Sequence, residues 1–233
     1  MDTVKDIVKD EVAFLQSLVS LEGARLLELG CGKAEFTRKL LARTEVKAVA
    51  ALEVDRIQHR VNLGGPQDPR LVFGYGGAEE IPFDDATFDG VLMMKSLHHV
   101  PVESMERAFG EIRRVLKPGG WAYISEPVYA GALNEIMKLF HDEGVVRAAA
   151  YRAIERATRE GVLQQQSEHH FDMPTHYSSF DDFVAKHVEV THSEKNYTPE
   201  IAAEVRRRFD AHMTPAGADF MKPMRVNLLR RRA

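Results

Sequence analysis

Two glycines and two carboxylates have the spacing of a ligand-binding turn. Gly30 and Gly32 stand one residue apart at the end of a short apolar run that contains Glu28, and Glu53 follows roughly twenty residues later. Glycine adopts backbone angles that other residues avoid, and it places no Cβ between the main chain and a ligand. Amides at the start of a helix favour polar and anionic ligand groups. The pattern predicts a pocket for a nucleotide cofactor.

The residues around the glycines discriminate between cofactors. The dinucleotide fingerprint Gly-x-Gly-x-x-Gly needs a third glycine, and Glu35 stands in its place. Glu28 is a second objection, because a carboxylate inside a buried apolar strand is costly to desolvate without a partner. A cationic ligand group at the end of the strand would be such a partner, whereas a diphosphate would be repelled. The pattern therefore excludes a dinucleotide-dependent oxidoreductase.

Apolar periodicity predicts the elements that position these residues. The run 26–29, the glycines and the stretch 36–42 indicate a strand, a tight turn and a helix. Asp55 is suited to cap the helix that follows Glu53. Further strands are predicted at 47–54, 71–75, 88–94, 121–126, 188–196 and 225–230. Helical spacing predicts helices or helix-rich segments at 2–19, 56–61, 102–116, 133–158, 180–187 and 199–212.

A polar segment, residues 164–179, follows the predicted helices of the second half and carries His169, His170 and His176. We expect it to lie on the surface above the carboxyl end of the sheet, as an insertion. Imidazoles suit zinc and iron, but structural metal sites usually need four ligands and catalytic sites three, and no cysteine is nearby. The sequence therefore favours solvated or substrate-lining histidines and predicts no metal.

Composition and charge limit the kinds of partner and the cellular compartment that we expect for this protein. The 233 residues suit one domain, and the net charge of −4 gives no general attraction to nucleic acid or to an anionic membrane. Cys31 is the single cysteine, so no intrachain disulfide forms, and its place in the glycine turn indicates a small packing residue. No signal peptide and no stretch of about 20 apolar residues is apparent. We predict a cytoplasmic protein with a small-molecule partner, monomeric or homodimeric, without nucleic acid or membrane.

Four motifs then fall in an order that resembles a known family. The run Leu-Glu-Leu-Gly-Cys-Gly at 27–32 resembles the first motif of the class I methyltransferases that use S-adenosylmethionine. The acid Glu53 resembles the second. The later motifs are Ala-Glu-Glu-Ile-Pro-Phe at 78–83 and the pair formed by Leu-His-His-Val at 97–100 with Arg-Val-Leu-Lys-Pro-Gly-Gly at 114–120. Together they are similar to the small-molecule, methyltransferase type 11-like branch.

The resemblance implies a fold and a division of the chain. The expected α/β architecture is a Rossmann-like, seven-stranded, mostly parallel sheet with helices on both faces. Its last strand is antiparallel, inserted between the fifth and sixth. The single domain 1–233 would comprise a covering helix (1–20), a cofactor-binding core (21–128), a helical cap or substrate insertion (130–179) and the C-terminal part of the core sheet (180–233).

The resemblance also implies S-adenosylmethionine as cofactor and S-adenosylhomocysteine as product. Glu28 would hold the methionine ammonium, directly or through water. The amides around Gly30, Cys31 and Gly32 would face the methionine carboxylate and the sulfonium. Ala34 stands where the family usually has a further glycine.

Three further segments complete the implied cofactor site, one each for the ribose, the adenine and the ammonium group. Glu53, followed by Val54, would accept both ribose hydroxyls. The adenine edge would lie against Gly77, Ala78 and Glu79, and because the family often has aspartate where Gly77 stands, either Glu79 or water takes the acceptor role. Lys95 and Ser96 would offer backbone carbonyls to the ammonium.

Methyl transfer needs no nucleophile on the protein, because the cofactor supplies the activated group. The protein must align the reactants, exclude water and remove a proton where the acceptor carries one. His98 and His99 follow the fourth core strand and titrate in the useful range, although such a pair also packs against backbone in many proteins. We favour His99 as the base, and Tyr129 is a comparable candidate for orienting a substrate.

Two functions are consistent with these residues. The first is S-adenosylmethionine-dependent transfer to an oxygen, nitrogen, carbon or sulfur atom of a small molecule, by in-line attack on the sulfonium methyl. The alternative is a cofactor-binding sensor or partner subunit without transfer activity. An enclosed acceptor pocket with a polar group near the methyl would favour the enzyme.

Overall fold

The structure is a computed structural model that describes residues 6–189 and 195–233. Its strands are β1 (Asp6–Ile7), β2 (Arg25–Leu29), β3 (Ala48–Glu53), β4 (Leu71–Tyr75), β5 (Phe88–Met94), β6 (Leu116–Pro127), β7 (Gln164–Tyr177), β8 (Met213–Thr214) and β9 (Gly217–Arg230). Its helices are α1 (Glu11–Leu18), α2 (Glu35–Arg43), α3 (Arg56–Gly64), α4 (Met105–Val115), α5 (Ala132–Met137), α6 (Gly144–Arg159), α7 (Phe180–His187) and α8 (Pro199–Asp210).

The strands form one mixed sheet in the order β1-β7-β9-β6-β5-β2-β3-β4, with β8 paired to β9. Pairing among β2, β3, β4, β5 and β6 is parallel. β9 runs antiparallel to β6, because Arg231 N donates to Gly120 O while Val128 N donates to Pro223 O. The predicted seven-stranded, mostly parallel sheet with its last strand inserted between the fifth and sixth is confirmed. The structure adds the two-residue strands β1 and β8.

The chain divides into two compact units. We call residues 10–126, 148–169 and 225–233 the glycine-turn unit. Its central strands are buried on both faces, as expected for parallel strands covered by helices. Its core joins β2, β5 and β6 to α4 and α6, with Leu27, Val91, Phe109, Ile124 and Ile154 among the buried side chains.

The second unit, here called the aromatic unit, comprises the described residues 6–9, 127–147, 170–189 and 195–224. Its core consists largely of rings from β7, β9, α7 and α8. Phe183 lies 5.0 Å from Phe209 and 5.4 Å from Tyr177 between ring centroids, in geometries that favour aromatic pairs.

Two helical predictions are refined by the structure. The helix predicted over 2–19 begins at Glu11, because Asp10 caps it by accepting from Val12 N and Ala13 N. Residues 2–5 of that prediction lie outside the described part of the chain. The helix-rich segment 133–158 is two helices, α5 and α6, which matches its two apolar faces.

The prediction of a surface insertion at 164–179 is wrong, because residues 164–177 form strand β7. The sequence of β7 lacks the apolar alternation of a strand, because several of its side chains are polar and bond to polar residues of β9. Asn227 Nδ2 donates to Glu168 at 2.7 Å, and Arg230 Nε donates to Gln166. The strand predicted at 188–196 falls mainly on residues outside the described part. No helix within residues 6–189 and 195–233 combines the length and the apolar character needed to cross a membrane.

Candidate active site

The glycine turn follows β2 and has the backbone that its composition predicts. Gly30 and Gly32 have φ of +68° and +51°, in the left-handed region. A Cβ on Gly30 would lie 2.7 Å from Ser96 Cβ, so Gly30 allows a close approach of the segment after β5. A Cβ on Gly32 would meet nothing within 4 Å. Ala34 has φ of 55° as well, which explains why a glycine is usual there in the resembled family.

The amides of this turn are bonded within the protein. Cys31 N donates to Leu52 O at 2.9 Å, and Gly32 N donates to Glu53 Oε2 at 2.7 Å. Asn62 of α3 fixes the other side of the turn by donating from Nδ2 to Gly32 O at 2.7 Å. The open amides that the sequence suggests are therefore engaged here, and their contact with a cofactor stays a prediction.

Glu53 ends β3 with its carboxylate bonded to three backbone amides. In addition to Gly32 N, it accepts from Val54 N and Asp55 N at 2.8 Å each. A carboxylate offers about four acceptor positions, so one position on Oε2 remains. Asp55, the next acid after Glu53, caps α3 by accepting from Ile57 N at 2.8 Å, as the sequence predicts.

Glu28 lies near the carboxyl end of the central strand β2 and is 1% exposed. Burial raises the pKa of its carboxyl group to about 7, although Thr37 Oγ1 donates to it and the charge of Lys95 acts in the opposite direction. The charges of Glu53 and Glu11 add smaller upward contributions to that pKa. A cationic ligand group near Glu28 would reverse this shift. The site is therefore suited to a cation.

Cys31 is buried beside these acids. Burial is the main cause that raises the pKa of its thiol far above the ordinary value, and the charge of Glu28 adds to it. A thiol in this environment is a packing group, in agreement with the sequence.

The segment after β4 places Glu79 over Gly77. A Cβ on Gly77 would lie 2.7 Å from Glu79 Cδ, so the Glu79 carboxyl group lies where a side chain of residue 77 would project. Ala78 between them is buried. The Glu79 carboxylate thus lies where a side chain of residue 77 would project, and its contact with adenine stays a prediction.

Lys95 and Ser96 tie the end of β5 to its neighbours. Lys95 has φ of 61°, its N–H donates to Ser125 O at 2.7 Å, and its Nζ lies 3.6 Å from Glu11 Oε2 of α1. Ser96 Oγ donates to Leu29 O at 2.7 Å, next to the glycine turn. The two residues thus lie at the carboxyl edge where the sequence places them.

The two histidines after β5 have different environments. His98 is 4% exposed, and its Nδ1 is hydrogen-bonded to Glu126 Oε2 of β6. Glu126 Oε1 also accepts from Leu97 N at 2.9 Å. His99 is exposed, and its ring centroid lies 4.1 Å from that of His98. The Glu126 carboxylate therefore fixes the orientation of the His98 ring, and a role of either histidine in proton transfer stays a prediction.

The remaining candidates lie elsewhere in the chain. Tyr129 belongs to the aromatic unit, where a hydrogen bond to the Asp142 carboxylate raises the pKa of its phenol. His169 Nε2 is bonded to Ser167 Oγ at 2.9 Å, and His176 Nδ1 is bonded to Asp219 Oδ1 at 2.8 Å. Their roles toward a substrate stay predictions.

Sequence reasoning missed three residues of this site. Thr37 supports Glu28, Asn62 supports the glycine turn, and Glu126 holds His98. Only Glu126 had a usable signal, because an acid that ends an apolar strand points to the same sheet edge as His98.

Comparison with known proteins shows which proteins the chain resembles. Residues 27–124 match the family model described as a methyltransferase domain. A 154-residue part is 30% identical to 27-O-demethylrifamycin SV methyltransferase of Amycolatopsis mediterranei, covering 62% of this chain and 56% of that protein. A 101-residue part is 37% identical to sterol 24-C-methyltransferase erg6 of Schizosaccharomyces pombe, covering 42% and 26%. The chain thus spans little more than half, or less, of these relatives.

Solved structures share the whole fold at low identity. Protein BH2331 of Bacillus halodurans C-125 superposes with a TM-score of 0.67 at 18% identity, over 96% of this chain and 99% of that one. A SAM-dependent methyltransferase of Methanosarcina mazei gives a TM-score of 0.58 at 14% identity, over 94% and 97%. At such identities the similarity establishes the Rossmann-like fold.

Proposed function

Residues 27–124 match the family model described as a methyltransferase domain, and we propose that the chain is an enzyme that uses S-adenosylmethionine to methylate a small molecule. The observation that carries the proposal is the convergence of Glu28, the glycine turn, Glu53 and His98 at one edge of the sheet. Each is on an adjacent strand or in the turn that follows it. A protein that only binds the cofactor would need Glu28, the glycine turn and Glu53. The buried imidazole of His98 beside them supports catalysis.

The residues present fit the cofactor of this class. Glu53 retains one acceptor position for a ribose hydroxyl, and the second hydroxyl would displace one of its three amide donors. Gly32 has open space where other residues carry a side chain. Glu28 supplies the anionic group for the methionine ammonium, directly or through water.

Glu79 completes the proposed adenine contact. Its carboxylate lies over Gly77, so it can accept from the adenine amine in place of the aspartate that is frequent in the family. The charge of Glu79 suits the donor character of that amine. Lys95 and Ser96 would contribute their carbonyls beside the ammonium.

The chemistry divides between cofactor and protein. When bound, S-adenosylmethionine supplies a methyl group already activated on a sulfonium. The protein's residues hold the ribose and ammonium, align the acceptor with the methyl carbon and take up a proton where the acceptor carries one. His98, His99 and Tyr129 are the candidates for the last two tasks.

A small-molecule acceptor is the class that the composition favours. The net charge of −4 gives no general attraction to a polyanion. The two relatives are named for an O-methylation and a C-methylation of small molecules, so the domain is compatible with more than one acceptor atom. We propose a small-molecule acceptor and leave the atom open to experiment.

Calorimetric titration with S-adenosylmethionine, S-adenosylhomocysteine and NAD tests the cofactor assignment. We expect the two sulfur nucleosides to bind and NAD not to bind. Correctly folded protein that binds neither nucleoside would refute the proposal.

Transfer is tested with methyl-labelled S-adenosylmethionine and a panel of phenols, sterols, macrocyclic alcohols, amines and thiols. Labelled product from at least one compound supports the enzyme. Binding without transfer across the panel would instead support the sensor or partner subunit.

A further inference from the structure

Glu11 of α1 and Lys95, which directly follows β5, form an ion pair in the glycine-turn unit, with Oε2 and Nζ 3.6 Å apart. We infer that Glu11 is a positioning residue that holds the Lys95 ammonium away from Glu28, so that Glu28 stays available to the cationic part of the cofactor. The inference rests on the proposed function, because it concerns the cofactor contact of Glu28. It gives α1 a role in cofactor selectivity beyond that of a covering helix.

The charges of this cluster act on one another. Burial raises the pKa of the Glu28 carboxyl group to about 7, while the charge of Lys95 lowers it. The charges of Glu53 and Glu11 raise it further. Lys95 therefore lies within electrostatic reach of both Glu28 and Glu11, and the structure pairs it with Glu11.

The carboxylate of Glu11 is fixed against the sheet. Glu11 is 8% exposed, and Ser125 Oγ of β6 donates to its Oε1. Tyr123 lies two residues before Ser125 and therefore on the same face of β6. Burial raises the pKa of the Tyr123 phenol well above its usual range, and the charge of Glu11 adds to the effect. Moving the Glu11 carboxylate would leave buried polar groups unpaired, so it offers Lys95 a fixed counter-ion.

The backbone of Lys95 is fixed, whereas the end of its side chain is not. Its φ of 61° lies in the left-handed region, which residues with a Cβ adopt only where the surrounding structure holds them. Its N–H donates to Ser125 O at 2.7 Å. The side chain is 35% exposed and has a flexible aliphatic stem, so Nζ can turn to another carboxylate. The pair with Glu11 decides where this charge lies.

The Lys95 charge matters because the proposed ligand is itself cationic. The methionine ammonium is proposed to lie at Glu28, and a Lys95 ammonium paired with Glu28 would occupy the same carboxylate. The sulfonium of S-adenosylmethionine belongs to the same short methionine chain, so this lysine charge would repel it as well. S-adenosylhomocysteine has the ammonium but a neutral sulfur. Release of Lys95 from Glu11 therefore disfavours S-adenosylmethionine more than S-adenosylhomocysteine.

The first test needs no cofactor. Glu11→Gln keeps a side-chain oxygen for Ser125 Oγ and removes the counter-ion of Lys95. We expect Lys95 to turn toward Glu28 and to lower its pKa, because an opposite charge favours the ionised carboxylate. The raised pKa of Glu28 makes the fold less stable as pH rises, so Glu11→Gln should flatten the pH dependence of urea unfolding between pH 5 and pH 8. A wild-type slope in Glu11→Gln would contradict the inference.

Asp89→Asn is the matched control for this measurement. Asp89 also pairs with a lysine, because its Oδ1 accepts from Lys117 Nζ at 2.7 Å, and its Oδ2 accepts from Arg25 N at 2.8 Å. It lies at the opposite end of β5, so the substitution removes the counter-ion of a lysine away from Glu28. Asp89→Asn should keep the wild-type slope between pH 5 and pH 8.

Calorimetric titration with S-adenosylmethionine and S-adenosylhomocysteine is the second test. In Glu11→Gln we expect affinity to fall about tenfold for the first and about threefold for the second, because only the first carries the sulfonium charge. The ratio of the two affinities is decisive, since a general loosening of α1 would weaken both equally. Asp89→Asn should keep both affinities within about twofold of the wild type. An unchanged ratio in Glu11→Gln would overturn the inference.

A double variant tests whether Glu11 acts through Lys95. Lys95→Met removes the charge that Glu11 holds, so adding Glu11→Gln to Lys95→Met should leave the affinity ratio at the value of Lys95→Met alone. The full loss of S-adenosylmethionine affinity in the Lys95→Met background would show that Glu11 acts on the ligand directly. That result would overturn the inference.

These outcomes are separate from those that test the proposed function. Wild-type protein that binds neither nucleoside refutes the proposed function. Wild-type binding with an unchanged ratio in Glu11→Gln refutes the role of Glu11 and leaves the cofactor assignment in place. If Glu11→Gln fails to fold, Lys95→Met decides. A stronger preference for S-adenosylmethionine in Lys95→Met supports the inference, and an unchanged preference contradicts it.

Discussion

Gly32 donates its amide to the carboxylate of Glu53 at 2.7 Å across 21 residues of sequence. The two residues follow neighbouring parallel strands, β2 and β3, so the bond joins the glycine turn to the acid directly. The carboxylate is therefore oriented before any ligand arrives. Such preorganisation lowers the cost of binding, because little side-chain freedom remains to be lost.

Glu53→Ala should weaken binding of S-adenosylhomocysteine by about 2 kcal/mol, roughly 30-fold, because two ribose hydroxyls lose a charged acceptor. Calorimetric titration measures the change. Asp55→Asn is the matched control, since asparagine preserves the cap of α3 and Asp55 makes no proposed ligand contact. Equal affinity of Glu53→Ala and the wild type would remove the ribose assignment.

Glu28 should make the fold less stable as pH rises. Its folded pKa is raised from 4.5 to about 7, so between these values the folded state binds more protons than the unfolded state, and the free energy of unfolding decreases with pH. The group accounts for a loss on the order of 3 kcal/mol across this window. Glu28→Gln should therefore show a flatter dependence in urea unfolding from pH 5 to pH 8.

The control for this measurement is Glu22→Gln, which changes an exposed carboxylate in the same unit. It should keep the wild-type slope. If Glu28→Gln and Glu22→Gln follow the wild-type curve equally, the buried carboxyl group of Glu28 is not the source of the pH dependence.

Binding of S-adenosylmethionine should release protons near pH 7. Glu28 is about half protonated there, and a cationic ligand group beside it lowers its pKa. About half a proton should leave on binding, and affinity should rise between pH 6 and pH 8. Calorimetry in buffers of different ionisation enthalpy measures the release, and Glu28→Gln should abolish it. Equal release in both proteins would place the ligand cation away from Glu28.

The sequence predicts those elements and site residues whose signals lie within one short segment of the chain. Examples are Gly30, Gly32 and Glu53. Each lies in a short segment whose pattern predicts a strand and the turn after it, and the structure places the three residues close together. Asp10, which directly precedes α1, was also a local signal. It was outweighed by Ile7 and Val8, which continue the helical spacing upstream without joining the helix.

The sequence does not predict features that depend on contacts between residues far apart in the chain. Strand β7 is polar because its side chains bond to those of β9, so no apolar alternation marks it. His98 and His99 are adjacent in sequence, and the bond between His98 and Glu126 joins residues 28 positions apart, so no local pattern shows which imidazole is buried.

Glu79 should contribute to cofactor binding through the position that Gly77 leaves open. Glu79→Ala should weaken S-adenosylhomocysteine binding by about 1 kcal/mol, because the adenine amine loses an acceptor. Adding Gly77→Asp to Glu79→Ala should recover affinity, since the aspartate then projects into the space that the Glu79 carboxyl group occupied. Glu80→Ala is the control, because Glu80 is exposed and forms an ion pair with Arg107 at 3.7 Å. Loss in Glu80→Ala equal to that in Glu79→Ala, or no recovery in the double variant, would show that the carboxylate over Gly77 does not contact adenine.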